Sequence, residues 1–151
     1  VGGSTNVIPN KVKLEGTFRT MNEKWRREAH KRMKKLVKNM AKAMGGAAQQ
    51  TIVKGYPVLV NNDELPAKAR RYAVEYLGEE NVVDLPIRMT AEDFAYFSHQ
   101  LPACFYRLGT GNVAKGITSP VHTDTFDVDE DSMRLSTGLM AWMTLRELSA
   151  S

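Results

Sequence analysis

The chain has 151 residues, a net charge of +4, 42% hydrophobic and 25% charged residues, and one cysteine, Cys104. These values are typical of a soluble globular protein that can bury a core. No apolar stretch is long enough to cross a bilayer, and a single cysteine excludes an internal disulfide framework and weakly favours a reducing compartment such as the cytoplasm. The start, Val1-Gly2-Gly3-Ser4, lacks an initiator methionine and fits a mature protein, an expressed piece or a proteolytic fragment.

The first third of the chain predicts strand, helix and strand. Residues 11–19 alternate apolar and polar side chains, which is typical of a half-buried strand. Residues 22–44 predict a long amphipathic helix with Asn22 as N-cap and Gly45 as its stop. Residues 49–60 predict a second strand. The apolar stripe of the helix consists of Trp25, Ala29, Met33, Leu36, Val37, Met40 and Met44.

The remaining two thirds predict helices separated by short strands. A helix runs to Leu77 and is followed by strands at 81–87 and 103–108. Between those strands, residues 90–93 resemble a capping box that opens a short helix. The last helix is predicted at 131–148. The inward residues of the first and last of these helices are predicted to be Ala69, Tyr72, Ala73, Tyr76 and Leu77, then Leu135, Leu139, Trp142, Met143 and Leu148.

These elements predict an α/β chain in two parts, residues 1–57 and 58–151. The first part is a sheet with a helix on one face, an α+β arrangement, and the second is the end of an α/β domain. A three-stranded sheet with one helix forms a marginal core, so the first part is expected to need a partner.

Two groups of residues could carry chemistry. Asn6 and Arg19 could hold a carboxylate together, with the guanidinium as a two-pronged donor, although spacing alone favours a turn asparagine and an Arg19–Glu15 surface pair. His122 lies in a polar loop and could bind a metal or transfer protons, or simply be solvated. Adjacent Glu92 and Asp93 fit the N-terminus of a helix without any further role.

In order and spacing, the motifs resemble the aminoacylase/hippurate hydrolase family of di-metal amidohydrolases. The resemblance covers essentially the whole chain. Six segments carry it: Gly2 to Pro9, Gly16 to Thr20, Gly55 to Asn61, Glu92 to Tyr96, Leu108 to Asn112, and His122 to Glu130.

The resemblance implies a role for each segment. Residues 1–57 would be part of a lid or dimerisation domain that forms a homodimer, and residues 58–151 the end of a zinc-dependent catalytic domain. His122 would be a metal ligand, and Asn6 and Arg19 would hold the carboxylate of an N-acyl amino acid or peptide substrate. Gly109 and Gly111 would line the cleft, and Glu92 and Asp93 would support the site.

The resemblance also implies what this sequence lacks. Two divalent ions are expected in the parent enzyme, zinc above all, with manganese, cobalt or nickel as alternatives. The other ligands and the general-base glutamate would lie upstream, so the isolated chain is expected to bind no metal and to be inactive without the N-terminal part of the enzyme. Asp124 and Val121 stand where the family usually has proline and leucine, which leaves the conformation of the His122 loop open.

A different class of function remains as an alternative. Residues 24–42 contain nine of the 21 lysines and arginines and one acid, Glu28, so a non-catalytic dimerisation or nucleic-acid-binding module must be considered. No aromatic stacking platform or known nucleic-acid motif accompanies this run, and a solvated helix face explains it as well. The sequence therefore favours the hydrolase, with no membrane partner.

Overall fold

The computed structural model describes residues 6–150, which form two compact units, one ending at Val58 and the other starting at Leu59. Unit 1 contains helix α1 (Glu23–Ala43). Unit 2 contains α2 (Leu65–Leu77), the short α3 (Ala95–Ser98) and α4 (Asp131–Ser149). Two 3₁₀ turns, Glu79–Asn81 and Val113–Lys115, also belong to unit 2. None of the helices in the described part of the chain is long and apolar enough to span a membrane.

Helix α1 confirms the prediction at both ends. The Asn22 side chain accepts a hydrogen bond from the backbone N–H of Trp25 at 2.9 Å, which satisfies one of the free donors of the first turn. At the other end Gly45 has a φ of 72°, in the left-handed region that glycine tolerates. The N–H of Gly46 then bonds to the carbonyl of Ala41 at 2.8 Å. The helix ends here because its last carbonyls are satisfied by this reversal.

The first turn of α1 also holds the end of unit 1. Arg26 donates to the carbonyl of Tyr56 at 2.7 Å and pairs with Glu23 at 2.8 Å. Glu23 in turn accepts from the N–H of Val58 at 3.1 Å. The Glu23–Arg26 ion pair thus provides hydrogen-bond partners for the Tyr56 carbonyl and the Val58 N–H. In a sheet, a neighbouring strand would provide these partners.

The predicted strands are wrong for the described residues. Between residues 6 and 150 the only strand pairing is an isolated antiparallel bridge between Asn112 and Ile117, so the lid sheet predicted from segments 11–19 and 49–60 is not found. Leu14, on the face predicted to be buried, is 90% exposed. A period of two identifies which side chains share a face, but a strand forms only where a second strand satisfies its backbone.

The predicted strands at 81–87 and 103–108 in unit 2 also lack a ladder. Residues 79–81 turn instead as a 3₁₀ helix. The segment beginning at Ala103 is held by Asn61, whose side chain accepts from the N–H of Phe105 at 2.7 Å and donates to its carbonyl at 3.1 Å. An Asn62 N–H to Ala103 carbonyl bond of 2.8 Å adds a third link. One asparagine amide here replaces a strand as backbone partner.

Helices α2 and α4 pack against each other and contain most of the buried side chains of unit 2. Tyr72 on α2 and Leu139 on α4 are each only 3% exposed. Both were predicted to face inward, and both do. Tyr76, Leu135 and Leu148 were also predicted to face inward, but they are 41%, 45% and 70% exposed. The apolar stripe correctly identified the packed faces near the helix centres but overstated burial towards their edges.

Ion pairs link the two helices around Tyr72. Lys68 bonds to Glu147 at 2.7 Å, and the Tyr72 hydroxyl bonds to the other oxygen of Glu147 at 3.2 Å. Arg146 pairs with Glu75 at 2.9 Å, and its guanidinium lies 5.5 Å from the centroid of the Tyr72 ring. The ring is therefore covered by cations and anchored by its hydroxyl, and it holds the helix pair together.

Gly138 of α4 lies directly beside the hydroxyl of Tyr76 on α2, because a Cβ added there would run into that hydroxyl. Alanine in a helix interior is ordinarily favoured over glycine by about 1 kcal/mol. We expect Gly138→Ala to give no such stabilisation in the wild-type background, and to give it when Tyr76 is also replaced by alanine. Urea unfolding of the two single variants and the double variant measures this. Identical effects of Gly138→Ala in both backgrounds would contradict the close approach.

Candidate functional site

The loop between Ile117 and Asp129 carries His122 at an unusual backbone position. His122 has a φ of 69°, and it is the one non-glycine residue with positive φ between residues 6 and 150. Its side chain is exposed. Thr123 donates to the carbonyl of Pro120 at 2.8 Å, and the hydroxyls of Ser119 and Thr125 lie 2.8 Å apart. These short polar contacts close the loop around His122.

A positive φ has a cost that the rest of the structure must offset. For a non-glycine residue the left-handed region costs about 1–2 kcal/mol, although histidine adopts it more often than most residues. Such positions persist where neighbouring contacts fix the chain, and they concentrate at functional sites. His122 is therefore the residue whose geometry most indicates function.

Both ends of the His122 loop are joined by hydrogen bonds. At its start, Asn112 and Ile117 exchange two backbone bonds of 2.9 Å across a tight turn. At its end, Asp129 donates its N–H to the carbonyl of Thr110 at 2.8 Å and accepts from the Asn112 side chain at 2.6 Å. Residues 110–112 are thus bonded to both ends of the loop. We call Asn112, Lys115, Asp129 and Asp131 the loop-base cluster.

Lys115 completes the loop-base cluster and sets its charge. Its ammonium donates to Asp129 at 2.6 Å and to Asp131, in the first turn of α4, at 2.7 Å. Hydrogen bonds from Asn112 and then from Lys115 lower the pKa of Asp129, while the bonds to the two aspartates hold the pKa of Lys115 well above its usual value. The cluster is therefore charged at neutral pH, and it links the turn, the loop and α4.

This pKa shift predicts how stability varies with pH. A carboxyl whose pKa is lowered in the folded state stabilises it above the unfolded value of about 3.9, and the stabilisation is lost as pH falls through the lowered value. We expect the urea midpoint to drop as the pH falls below about 4, the unfolded value. Asp129→Asn should lower the midpoint at neutral pH and make that acid drop shallower. Asp63→Asn is the control, since Asp63 makes no ion pair with a described residue; an equal change there would contradict the assignment.

The two glycines predicted to line the cleft differ in their surroundings. A Cβ on Gly111 would lie 3.3 Å from the carbonyl of Ile117, so the close approach across the turn favours glycine there. A Cβ on Gly109 would meet nothing within 4 Å. The nearby Ile117 carbonyl therefore explains why glycine occupies position 111. The contact of either glycine with substrate stays a prediction.

Glu92 has a structural partner that the sequence did not suggest. Arg107 bonds to Glu92 at 3.1 Å and to the Thr90 hydroxyl at 3.0 Å. The predicted capping box is wrong: α3 begins at Ala95 with no side-chain cap hydrogen bond, and the Thr90 hydroxyl bonds to Arg107. The exposed Asp93 contributes its backbone carbonyl to Tyr96 at 2.9 Å. A supporting role for Glu92 and Asp93 in a metal site stays a prediction.

Asn6 and Arg19, the predicted carboxylate-binding pair, both lie in unit 1 and are exposed. Neither belongs to a helix or a strand. Their joint use to hold a carboxylate stays a prediction. His122, Gly109, Gly111, Glu92 and Asp93 belong to unit 2.

A complete metal site is not present among residues 6–150. No group of three histidine, cysteine, aspartate or glutamate side chains there is arranged to hold an ion. His122 offers one imidazole, whereas a zinc ion is normally held by three or four protein ligands. The role of His122 as a metal ligand stays a prediction.

The loop-base cluster was missed by reasoning from the sequence. Asn112 was assigned to a cleft-lining turn and Asp129 to the His122 motif, with no link between them. Lys115 and Asp131 are 14 and 2 residues from Asp129 in the sequence, and no periodicity relates them. Opposite charges on the two sides of a loop are only a weak sequence signal of an ion pair. Only the folded loop shows that these side chains meet.

The chain is similar to proteins whose names describe them as carboxypeptidases or amino acid hydrolases. It is 30% identical to Thermostable carboxypeptidase 2 of Saccharolobus solfataricus, over 89% of this chain and 34% of the relative. It is 30% identical to IAA-amino acid hydrolase ILR1-like 6 of Arabidopsis thaliana, over 98% and 33%, and 31% identical to ILR1-like 4 of the same plant, over 99% and 36%. The chain spans about a third of the length of these relatives.

The names of these relatives describe hydrolases, and a comparison with protein families assigns the chain to a particular family of hydrolases. Peptidase family M20/M25/M40 matches residues 8–144. The chain belongs to this family, which confirms the amidohydrolase resemblance. The family is α/β, but the described residues of this chain are mostly helical and the predicted lid sheet is not found among them. No solved structure matches the chain.

Proposed function

We propose that this chain supplies part of a metal-dependent site that hydrolyses the amide bond of N-acyl amino acids or related peptides. Membership of peptidase family M20/M25/M40 and relatives named carboxypeptidase and IAA-amino acid hydrolase support this substrate class. The observation that carries the proposal is His122, exposed in a left-handed conformation at a loop bonded at both ends.

Each proposed role belongs to a residue of this chain. His122 offers one neutral imidazole to an ion held otherwise by residues outside this sequence. Arg19 and Asn6 bind the substrate carboxylate, the guanidinium as a charge-assisted donor. The ions, with zinc expected, would polarise the scissile carbonyl and lower the pKa of a bound water. The general base is also expected outside this sequence, so the chain acts with the rest of its enzyme and, through residues 1–57, with a second copy of itself.

The experiment is a replacement of the corresponding third of Thermostable carboxypeptidase 2 by this chain. The chimera should retain divalent metal on a desalting column and hydrolyse N-acyl amino acids in a chelator-sensitive manner. The 151-residue chain alone should do neither. Native mass spectrometry of both samples reports metal content and oligomeric state.

Two results would contradict the proposal. Metal-dependent turnover by the isolated chain would mean that the site is complete here after all. A chimera that folds, judged by circular dichroism and gel filtration, but neither holds metal nor hydrolyses amides would mean that this chain no longer supports the family's site.

A further inference from the structure

The orientation of His122 depends on its backbone. The side chain is exposed, and it makes no hydrogen bond or ion pair with another described residue. Its φ of 69° is one that a non-glycine residue keeps only where the surrounding structure fixes the chain. The direction in which the imidazole projects is therefore set by whatever fixes the loop between Ile117 and Asp129.

The two ends of this loop meet at Asp129. One of its carboxylate oxygens accepts from the Asn112 side chain at 2.6 Å, and the other accepts from the Lys115 ammonium at 2.6 Å. Its N–H donates to the carbonyl of Thr110 at 2.8 Å. The side chain is only 13% exposed, and a carboxylate so largely removed from water is stable only where it is hydrogen-bonded. Asp129 therefore depends on donors that come from the chain before the loop.

Asn112 and Lys115 are fixed by one short turn. Asn112 exchanges two backbone bonds of 2.9 Å with Ile117, and its side-chain oxygen accepts from the N–H of Lys115 at 3.3 Å. The 3₁₀ turn Val113–Lys115 lies between these bonds. Because both donors to the Asp129 carboxylate start from the same turn, a movement of Asp129 away from the turn breaks both bonds together.

We infer that Lys115 and Asn112 are positioning residues that act on His122 through Asp129. By bonding the end of the loop to the turn at its start, they keep the loop closed and hold His122 in its left-handed conformation. The inference rests on the proposed function only for the use that the enzyme makes of His122. The ion pairs that link α2 to α4 do not involve Lys115, so its loss should loosen the loop and leave the helix pair folded.

The test compares the same substitution at two lysines of unit 2. Lys115→Gln removes the ammonium that binds Asp129, whereas Lys68→Gln removes one that binds Glu147 at 2.7 Å between α2 and α4. Lys115→Arg keeps the cation and is the conservative rescue. In each ¹⁵N-labelled chain, NMR relaxation gives the order parameter of the His122 amide. The NOE between its own amide and α protons reports the sign of φ, because these protons are closer at positive φ.

The His122 signals decide the outcome. In the wild type and in Lys68→Gln we expect an order parameter of about 0.85, the value of a rigid backbone. In Lys115→Gln it should fall below about 0.6 and the strong NOE should disappear, and Lys115→Arg should restore both. A Lys115→Gln chain that keeps both signals would overturn the inference. So would a mobile His122 in the wild type, or equal loosening in both glutamine variants.

A second measurement separates this inference from the proposed hydrolysis. In the chimera with Thermostable carboxypeptidase 2, Lys115→Gln should lower metal content and kcat/KM by about tenfold, the lower end of the cost of losing an indirect support of a metal ligand. Lys115→Arg should restore both. A chimera without metal or turnover, together with the expected NMR result, contradicts the proposed function alone. An active chimera that Lys115→Gln leaves unchanged contradicts the positioning role.

Discussion

Replacing His122 by alanine in the chimera with Thermostable carboxypeptidase 2 should lower kcat/KM for N-acyl amino acids by at least about 100-fold, because loss of even an outer-shell partner of a metal ligand costs 10–100-fold. The reason is direct: the imidazole is the one ligand that we propose this chain provides. Metal content, measured by elemental analysis after desalting, should fall in parallel with activity.

The same sequence provides matched controls. His30 lies on α1 and His99 follows α3, and neither is a proposed ligand. Alanine at either position should leave metal content and kcat/KM within a few-fold of the parent chimera. A His122→Ala chimera that keeps its metal and its turnover would remove His122 from the site, and with it the main support for the proposed function.

Tyr72→Ala should cause the largest loss of stability in unit 2. The ring is 3% exposed between α2 and α4, and truncation of a buried aromatic side chain costs about 3–5 kcal/mol. Its position beneath two guanidinium groups, Arg71 at 5.1 Å and Arg146 at 5.5 Å from the ring centroid, would also be lost. We expect a large decrease in the urea midpoint, followed by circular dichroism at 222 nm, a wavelength that reports the helices.

Two further substitutions separate the contributions of the ring and the hydroxyl. Tyr72→Phe keeps the ring and removes the bond to Glu147, so it should cost about 1 kcal/mol. Tyr76→Ala, on the same helix but 41% exposed, should cost clearly less than Tyr72→Ala. Equal losses for Tyr72→Ala and Tyr76→Ala would show that the α2–α4 contact does not depend on the buried ring.

The sequence predicted the helices well because their signals are local. Asn22 and Gly45 bound α1 within one residue of the prediction, and the predicted helix at 131–148 is α4, Asp131–Ser149. A cap or a left-handed glycine acts on neighbours three or four residues away, so its effect can be read without knowing the rest of the fold. The order of six motifs identified the family for a similar reason, since motif order is a property of the chain itself.

The strands failed because their stabilising partners are not local. Segments 11–19 and 103–108 have the alternation or apolar content of strands, yet the described residues offer them no ladder. Phe105 bonds to the side chain of Asn61, 44 residues away, and no period in either segment indicates that contact. Alternation in the sequence therefore predicts which side chains share a face of a strand. Whether the strand is paired depends on which other backbone segment lies beside it in the fold.

By itself, the sequence determined the helix ends, the cationic composition of α1 and the candidate role of His122. Only the tertiary structure decided that His122 takes a left-handed conformation, that Asn112 and Asp129 hold its loop, and that Glu23 and Glu28 of α1 pair with Arg26 and Arg32. Backbone conformation at a loop tip, and the choice of partner for each charge, depend on contacts between residues distant in the chain. Local patterns can nominate such residues, but they do not fix which of them meet.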